Sequence, residues 1–318
     1  MSNLLIVGSE GRMGKWFYKY FKYLNKKGKD QNTNYDLLPI VNFYLIDTQY
    51  QGVLNSKIKR DVYTSAKIKD FIDKADLIVF CTPTKVTLDL ITKNKRLFRS
   101  NCQIIEISSL KEIVHNRLQY LSSKPNNLNI ISVHPMFGPG ASLDSNKNTI
   151  IYVPINKSKK TKDLQSIESL FPDFKIATLD SPSEHDTLIS LMISLIYFIN
   201  LIYARIILHV SNSINPHKKN VNINKMKGIS GSSFKIQTLL TESIMTDDNS
   251  LFLSLLLDSP KSLKLIKEYG RVYHDMVDLL DQKDNERLTK IISQTRNGLM
   301  DEIDISESYN LLYKFINK

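Results

Sequence analysis

The sequence predicts an open, doubly wound α/β sheet followed by an all-helical region. Three observations carry the prediction. Up to about residue 180, short β-rich apolar runs alternate with helical stretches, the pattern of a mostly parallel sheet covered on both faces. The first run passes straight into a glycine-rich turn and a helix, "LLIVGSEGRMGKWFYKYF". After Asp180 the strand pattern stops and the chain reads as helices. A length of 318 residues accommodates two domains sharing one site, and the boundary is placed at 180, giving 1–180 and 181–318.

Taken in order, the strands are "NLLIVG", "VNFYLID", "DLIVFCT", "QIIEIS", "NIISV", "TIIYVP" and "FKIATLD". Residues 25–35, "NKKGKDQNTNY", read as an exposed loop between the first helix and the second strand. "SPSE" opens the helical part: Ser181 is the N-cap, Pro182 the first helical residue, and Glu184 completes a capping box. Breaks follow at Ser211 to Asn224, "TDDNS" and "LDSPKS". Residues 188–204, "LISLMISLIYFINLIYA", approach the ~20 residues of a membrane span. Ser190, Ser194 and Asn200 interrupt that run and Arg205 closes it, so a helix buried on all sides in a domain or dimer core is expected, and no membrane partner.

Composition excludes several classes. With 42% hydrophobic and 24% charged residues the chain is neither disordered nor fibrous. The net charge of +11 is spread along the chain and forms no basic stripe interleaved with aromatics, so nucleic acid is not expected as a partner, although the field favours small anions. Cys81 and Cys102 sit in apolar runs without metal-ligand spacing; no metal is expected, and both suit packing in a reducing compartment. The apolar start is too short for a signal peptide, which makes a cytoplasmic location the expectation.

Gly8, Gly11 and Gly14 stand at the G-x-x-G-x-x-G spacing after the first strand, and Arg12 and Met13 open the helix. This arrangement lets backbone N–H groups approach a pyrophosphate at the positive end of that helix, the Rossmann mode of dinucleotide binding. The second strand ends at Asp47, an acid placed to accept hydrogen bonds from ribose hydroxyls and repel a 2′-phosphate; NAD is the expected cofactor. Asp47 arrives later than the usual ~20 residues because of the polar segment at 25–35.

Ligands of such sheets sit beyond the carboxyl ends of the strands. "CTPTKVT" with Thr82 and Pro83, "ISSLKE" with Ser109 and Lys111, and "HPMFGPG" with His134 each follow a strand and are expected to converge on the nicotinamide. His134, placed just after a strand ending at Val133, has an ordinary pKa of about 6.5, suited to taking a hydroxyl proton. Met136 and Phe137 are candidates for an apolar pocket wall.

These pieces together resemble the prephenate dehydrogenase (TyrA-type) family: "IVGSEGRMG", "FCTPTKVT", "EISSLKE", "VHPMFGP" and "SEHDTLIS" occur in the family's order. The resemblance implies a Rossmann domain, an all-helical domain that builds a homodimer, and NAD-dependent oxidative decarboxylation of prephenate, a dianion, to 4-hydroxyphenylpyruvate in tyrosine biosynthesis. It implies His134 as the base, Ser109 bonding the substrate hydroxyl or His134, and Lys111 ordering the loop or contacting substrate. The β-hydroxyacid dehydrogenases share the turn but use a Lys on the first long helix, and 188–204 contains none.

Two family features are replaced. Where the long helix usually carries a His, Tyr197 stands, and where a later helix supplies a carboxylate-binding Arg, Ser243 stands. A dianion needs cationic donors. Lys235, in "GISGSSFKIQ", is the preferred replacement among Lys225, Lys227, Lys235 and Arg205. Two alternatives stay open: a related cyclohexadiene such as arogenate or an amino analogue as substrate, and a catalytically poor NAD-binding sensor.

Overall fold

The computed structural model describes residues 2–30, 39–51, 54–55, 61–144, 146–214 and 223–316. The chain divides into two compact units, Met1–Ile189 and Ser190–Lys318.

The first unit is built on a nine-stranded sheet: β1 Ser2–Val7, β2 Ile40–Ile46, β3 Leu54–Asn55, β4 Val62–Ser65, β5 Leu77–Phe80, β6 Gln103–Glu106, β7 Asn129–Pro135, β8 Thr149–Tyr152 and β9 Lys175–Thr178. Their spatial order is β3-β4-β2-β1-β5-β6-β7-β8-β9. The six strands from β4 to β7 run parallel, β8 is antiparallel to β7, and β3 is antiparallel to β4. The order reverses between β1 and β5, so the switch-point crevice where such sheets bind ligands lies beyond the carboxyl ends of those two strands.

Helices α1 Arg12–Asp30, α2 Thr84–Asn94, α3 Glu112–Ser122, α4 Lys160–Leu170 and α5 Pro182–Ile189 complete this unit. β1, β5 and β6 are almost wholly buried, because helices cover both faces and every side chain meets a core. One core joins the sheet to an aromatic group on α1 (Trp16, Phe17, Tyr20, Phe21) with Phe171 and Phe174; Leu5, Val7, Phe71, Ile72 and Leu118 belong to the other. α1 runs to Asp30, so residues 25–30 are helical and not loop; residues 31–35 of that expectation lie outside the described residues. At α5 the Ser181 Oγ accepts from the backbone N–H of Ser183 (3.2 Å) and Glu184 (3.4 Å), the N-cap contact expected of "SPSE".

The second unit begins with a π-helical turn at Ser190–Ser194 and continues as α6 Leu195–Ile214, α7 Ile223–Ile229, α8 Ser232–Met245, α9 Asn249–Leu257, α10 Pro260–Asp281, α11 Asn285–Glu302 and α12 Ile305–Ile316. α8 packs on α6, and a polar stitch locks them: Asn200 Oδ1 accepts from Gln237 Nε2 (2.8 Å) and Thr241 Oγ1 (2.7 Å). Among the described residues, the apolar helix expected in a domain or dimer core is not buried on all sides by its own chain. The most apolar 18-residue window within Pro182–Val210 has a mean hydropathy of 2.1, yet only 11% of it is buried, and Leu191, Met192, Ile206 and Leu208 are about half exposed.

Candidate active site

The glycine turn has no room for side chains. Gly8 sits at φ +82°, and a Cβ there would lie 2.7 Å from the Cys81 carbonyl oxygen and 3.0 Å from Thr82 Cγ2. A Cβ on Gly14 would lie 2.0 Å from the Gly8 carbonyl oxygen. Gly8 and Gly14 are therefore required by close approach of backbone to backbone, across the β1–β5 crevice in the case of Gly8. Arg12 is exposed and Met13 packs partly into the core. Pro83 precedes α2, and the Thr82 hydroxyl pairs with that of Thr87 at 2.8 Å. Such a cradle, opening onto the first-turn N–H groups of α1, fits a dinucleotide pyrophosphate.

Asp47 follows β2 and is oriented by the same turn. Its Oδ2 accepts from the Glu10 backbone N–H (3.0 Å) and its Oδ1 from that of Gln49 (3.1 Å), leaving lone pairs for ribose hydroxyls. Glu10 lies beside it, accepting from the Tyr50 hydroxyl and pairing with Lys15 at 2.9 Å; these contacts hold its carboxyl below the usual range. The motif reading had not included Glu10 or Tyr50.

His134 is the sixth residue of β7, paired with Ile151 of β8, and not the first residue of a loop. It is 4% exposed. Its Nδ1 lies 3.1 Å from Nε2 of His185 on α5, and His185 Nδ1 lies 2.7 Å from Asp186 Oδ1. Asp186 also closes the start of α3, with Oδ1 accepting from the Lys111 backbone N–H (2.7 Å) and Oδ2 from that of Glu112 (2.9 Å). These are first-turn donors with no intrahelical partner, which explains why a carboxylate is buried there. Burial, then the neighbouring His185 and Lys111, drives the His134 pKa well below its ordinary value. Burial also lowers His185, against the opposing pull of Asp186. Both imidazoles are thus neutral at physiological pH.

Lys111 was expected to order the loop or touch substrate. It is 1% exposed, and its Nζ bonds Glu106 Oε2 (2.9 Å) and the Val133 carbonyl (2.8 Å). The ammonium is committed inside the protein, so it is corrected from a substrate contact to a strut under the residue preceding His134. Burial would raise Glu106, but the Lys111 charge and bonds from the Ser108 backbone N–H, Lys111 and Ser132 outweigh it and hold the carboxyl low. Ser109 is half-buried and makes no hydrogen bond to His134; that contact belongs to His185. Phe137 packs on Trp16 (4.7 Å between rings) and Phe174 (5.5 Å), and Trp16 Nε1 donates to the Ala141 carbonyl, fastening the loop after His134 to α1.

Within the second unit, Tyr197 on α6 donates to Asp247 Oδ2 and packs on Phe252. Lys235 and Ser243 are exposed on α8, eight residues and so ~12 Å apart along the axis. Lys227, a weaker candidate, pairs with Glu242.

Residues 39–177 match the family model described as prephenate dehydrogenase, nucleotide-binding domain. This region is similar to the nucleotide-binding domain of prephenate dehydrogenases. A probable arogenate/prephenate dehydrogenase of Methanocaldococcus jannaschii is 20% identical over 293 residues, covering 91% of this chain and 59% of the relative. The T-protein of Enterobacter agglomerans is 20% identical over 219 residues, covering 68% and 53%. The chain therefore spans little more than half the length of these curated relatives. Among solved structures, a prephenate dehydrogenase from A. aeolicus in complex with hydroxyphenyl propionate and NAD+ superposes with a TM-score of 0.67 at 20% identity, covering 95% of this chain and 98% of that one. Synechocystis arogenate dehydrogenase gives 0.59 at 17% identity, covering 95% and 100%. The prephenate dehydrogenase fold is thus shared along nearly the whole chain, and prephenate and arogenate enzymes are both among its neighbours.

Proposed function

We propose that this protein is an NAD-dependent dehydrogenase of a cyclohexadiene acid, with prephenate as substrate and 4-hydroxyphenylpyruvate as product. The observation that carries the reading is His134: a buried neutral imidazole near the carboxyl end of β7, with Nδ1 engaged and Nε2 left for a ligand. Gly8, Gly11 and Gly14 with the start of α1, at Arg12 and Met13, hold the pyrophosphate, Asp47 receives the adenine ribose, and Thr82 and Pro83 flank the nicotinamide. Bound NAD+ would supply a hydride acceptor at the hydroxyl-bearing ring carbon, and loss of the ring carboxylate as CO2 would leave an aromatic ring. His134 Nε2 takes the hydroxyl proton as the carbonyl forms. Ser109 supplies a hydrogen bond to the same hydroxyl, and Lys111 with Glu106 fixes the strand that carries the base.

Arogenate remains the second reading, because the carboxylate-binding Arg and helical His are replaced at Ser243 and Tyr197. We further propose a homodimer in which a second copy covers the apolar face of α6, and a cytoplasmic location. Light scattering at micromolar concentration tests the dimer; a monomer removes it. Purified protein with NAD+ and either acid, followed at the absorbance of reduced cofactor, tests the substrate. His134→Asn should keep cofactor affinity and lower turnover by about 10² to 10⁴. Reduction of NAD+ with neither acid sinks the reading.

A further inference from the structure

The partner of His134 Nδ1 decides which of its nitrogens can act as a base, and that partner is another histidine. Among the described residues, Asp186 presents acceptors to His185: both its oxygens already receive backbone N–H bonds, from Lys111 and Glu112, so the 2.7 Å contact is filled by the His185 Nδ1 proton. A neutral imidazole carries one proton, so His185 Nε2 is a lone pair. The 3.1 Å contact to His134 then requires the proton on His134 Nδ1, and the lone pair on His134 Nε2. That Nε2 has no hydrogen-bond partner among the described residues. It is also absent from the sealed, unpartnered polar atoms, which are on Asn94, Gln103, Ser122 and Ser194, so its edge reaches solvent. The orientation of all three groups traces back to the start of α3, where the helix fixes Asp186.

We propose that His185 and Asp186 form a relay behind His134: they hold it in the Nδ1–H tautomer and accept the charge when its Nε2 is protonated. His185 and Asp186 are positioning residues; neither touches substrate. In the step itself one proton arrives at His134 Nε2 from the substrate hydroxyl, and the proton on His134 Nδ1 shifts towards His185 Nε2, placing the positive charge against Asp186. Nothing is oxidised in this transfer, and the proton returns to solvent by the reverse path. The charges facing the pair are few. Lys111 opposes a second positive charge, Asp186 and Glu106 favour it, and β8 contributes the apolar Ile151 at the paired position. The logic matches that of an acid–histidine pair behind a nucleophile, with a second imidazole inserted between acid and base.

The inference rests on the proposed dehydrogenase reading for its catalytic consequence but not for its first test. Long-range 15N–1H spectra of histidine-labelled protein without ligands, near pH 7.5, distinguish the two tautomers, and the six histidines are assigned by difference with His134→Asn and His185→Gln. The expected result is the Nδ1–H tautomer at both His134 and His185. An Nε2–H tautomer at His134 overturns the relay even if prephenate is turned over. Conversely, the expected tautomers with no turnover of either acid leave the relay standing and remove the substrate reading. In an active preparation, His185→Phe should lower kcat about 10²-fold with KM and NAD affinity within about twofold, and move the acid limb of the pH profile. His185→Gln, whose amide oxygen can still accept from Nδ1, should restore part of kcat by keeping the tautomer. Unchanged kcat in His185→Phe, or a Gln variant no better than Phe, overturns the relay.

Discussion

Replacing Lys111 by Met tests whether the site rests on its buried ion pair. The Lys111 ammonium and Glu106 carboxylate are both essentially without solvent contact and 2.9 Å apart, which at an effective dielectric of about 20 is an attraction of about 6 kcal/mol. Much of that offsets desolvation, so the pair is not a net gain of this size. Removing one member leaves Glu106 charged and buried with only the Ser132 hydroxyl and Ser108 N–H, and truncations of this kind destabilise by about 3–5 kcal/mol. For a unit of this size that lowers the melting temperature by roughly 6–20 °C. The deficit should depend on pH in a defined direction. Without Lys111, burial raises the Glu106 pKa above its unfolded value, so this group's contribution to the variant's stability is complete below about pH 4.3 and is lost as pH rises through the folded value. The gap from wild type should therefore be wider at pH 8 than at pH 5, by thermal unfolding followed by circular dichroism. Glu106→Gln together with Lys111→Met should recover more than half of the loss. A single variant that melts with wild type, or a double variant that melts below it, refutes the account.

Four further outcomes are expected. NAD(H) should bind at least tenfold more tightly than NADP(H) by calorimetry, with Asp47→Ser narrowing the gap; equal affinities remove the role of Asp47. Gly8→Ala, which forces a Cβ into the Cys81 carbonyl at positive φ, should abolish cofactor binding measured by tryptophan fluorescence quenching, whereas Gly138→Ala, which meets nothing within 4 Å, should leave it intact. His134 and His185 have folded pKa values below the unfolded ~6.5, so their stabilising contribution is complete above that pH and is lost as pH falls from there towards the folded values. This costs up to about 1.4 kcal/mol per pH unit for each; denaturation between pH 7 and 5 should show the slope, and His134→Asn with His185→Gln should flatten it. If Lys235 holds a substrate carboxylate, Lys235→Ala should lower kcat/KM by about ten- to two-hundredfold, the equivalent of a lost charge-assisted bond, with NAD affinity unchanged; a silent variant moves the carboxylate contact elsewhere.

The strands that line the crevice were legible because a parallel sheet buried on both faces writes itself as uninterrupted Val, Ile, Leu and Phe, as in "LLIV" and "LIVF". β4, "VYTS", escaped because, beside the two-residue edge strand β3, half its residues are partly exposed, and β3 itself is too short to have a period. The glycine turn was legible for a similar reason, since its spacing reports local backbone geometry.

The site is a different kind of object. His134 was found because the sheet's topology names the edge at which a residue acts, but its partners come from other ends of the fold. His185 is 51 residues away in sequence and Asp186 is 75 from Lys111, whose N–H it receives. No periodicity encodes such contacts; each residue type also points the wrong way. A lysine reads as surface, the Ser-Pro-Ser-Glu-His-Asp run at 181–186 reads as the first turn of a helix, and burial reverses both. What makes the arrangement possible is that α3 begins where β6 ends: the N–H groups exposed by that start demand a carboxylate, the carboxylate orients one imidazole, and that imidazole orients the next. The chemistry proposed for Nε2 of His134 is thus set three residues away from it in space, by a helix terminus that a sequence reading treats only as punctuation.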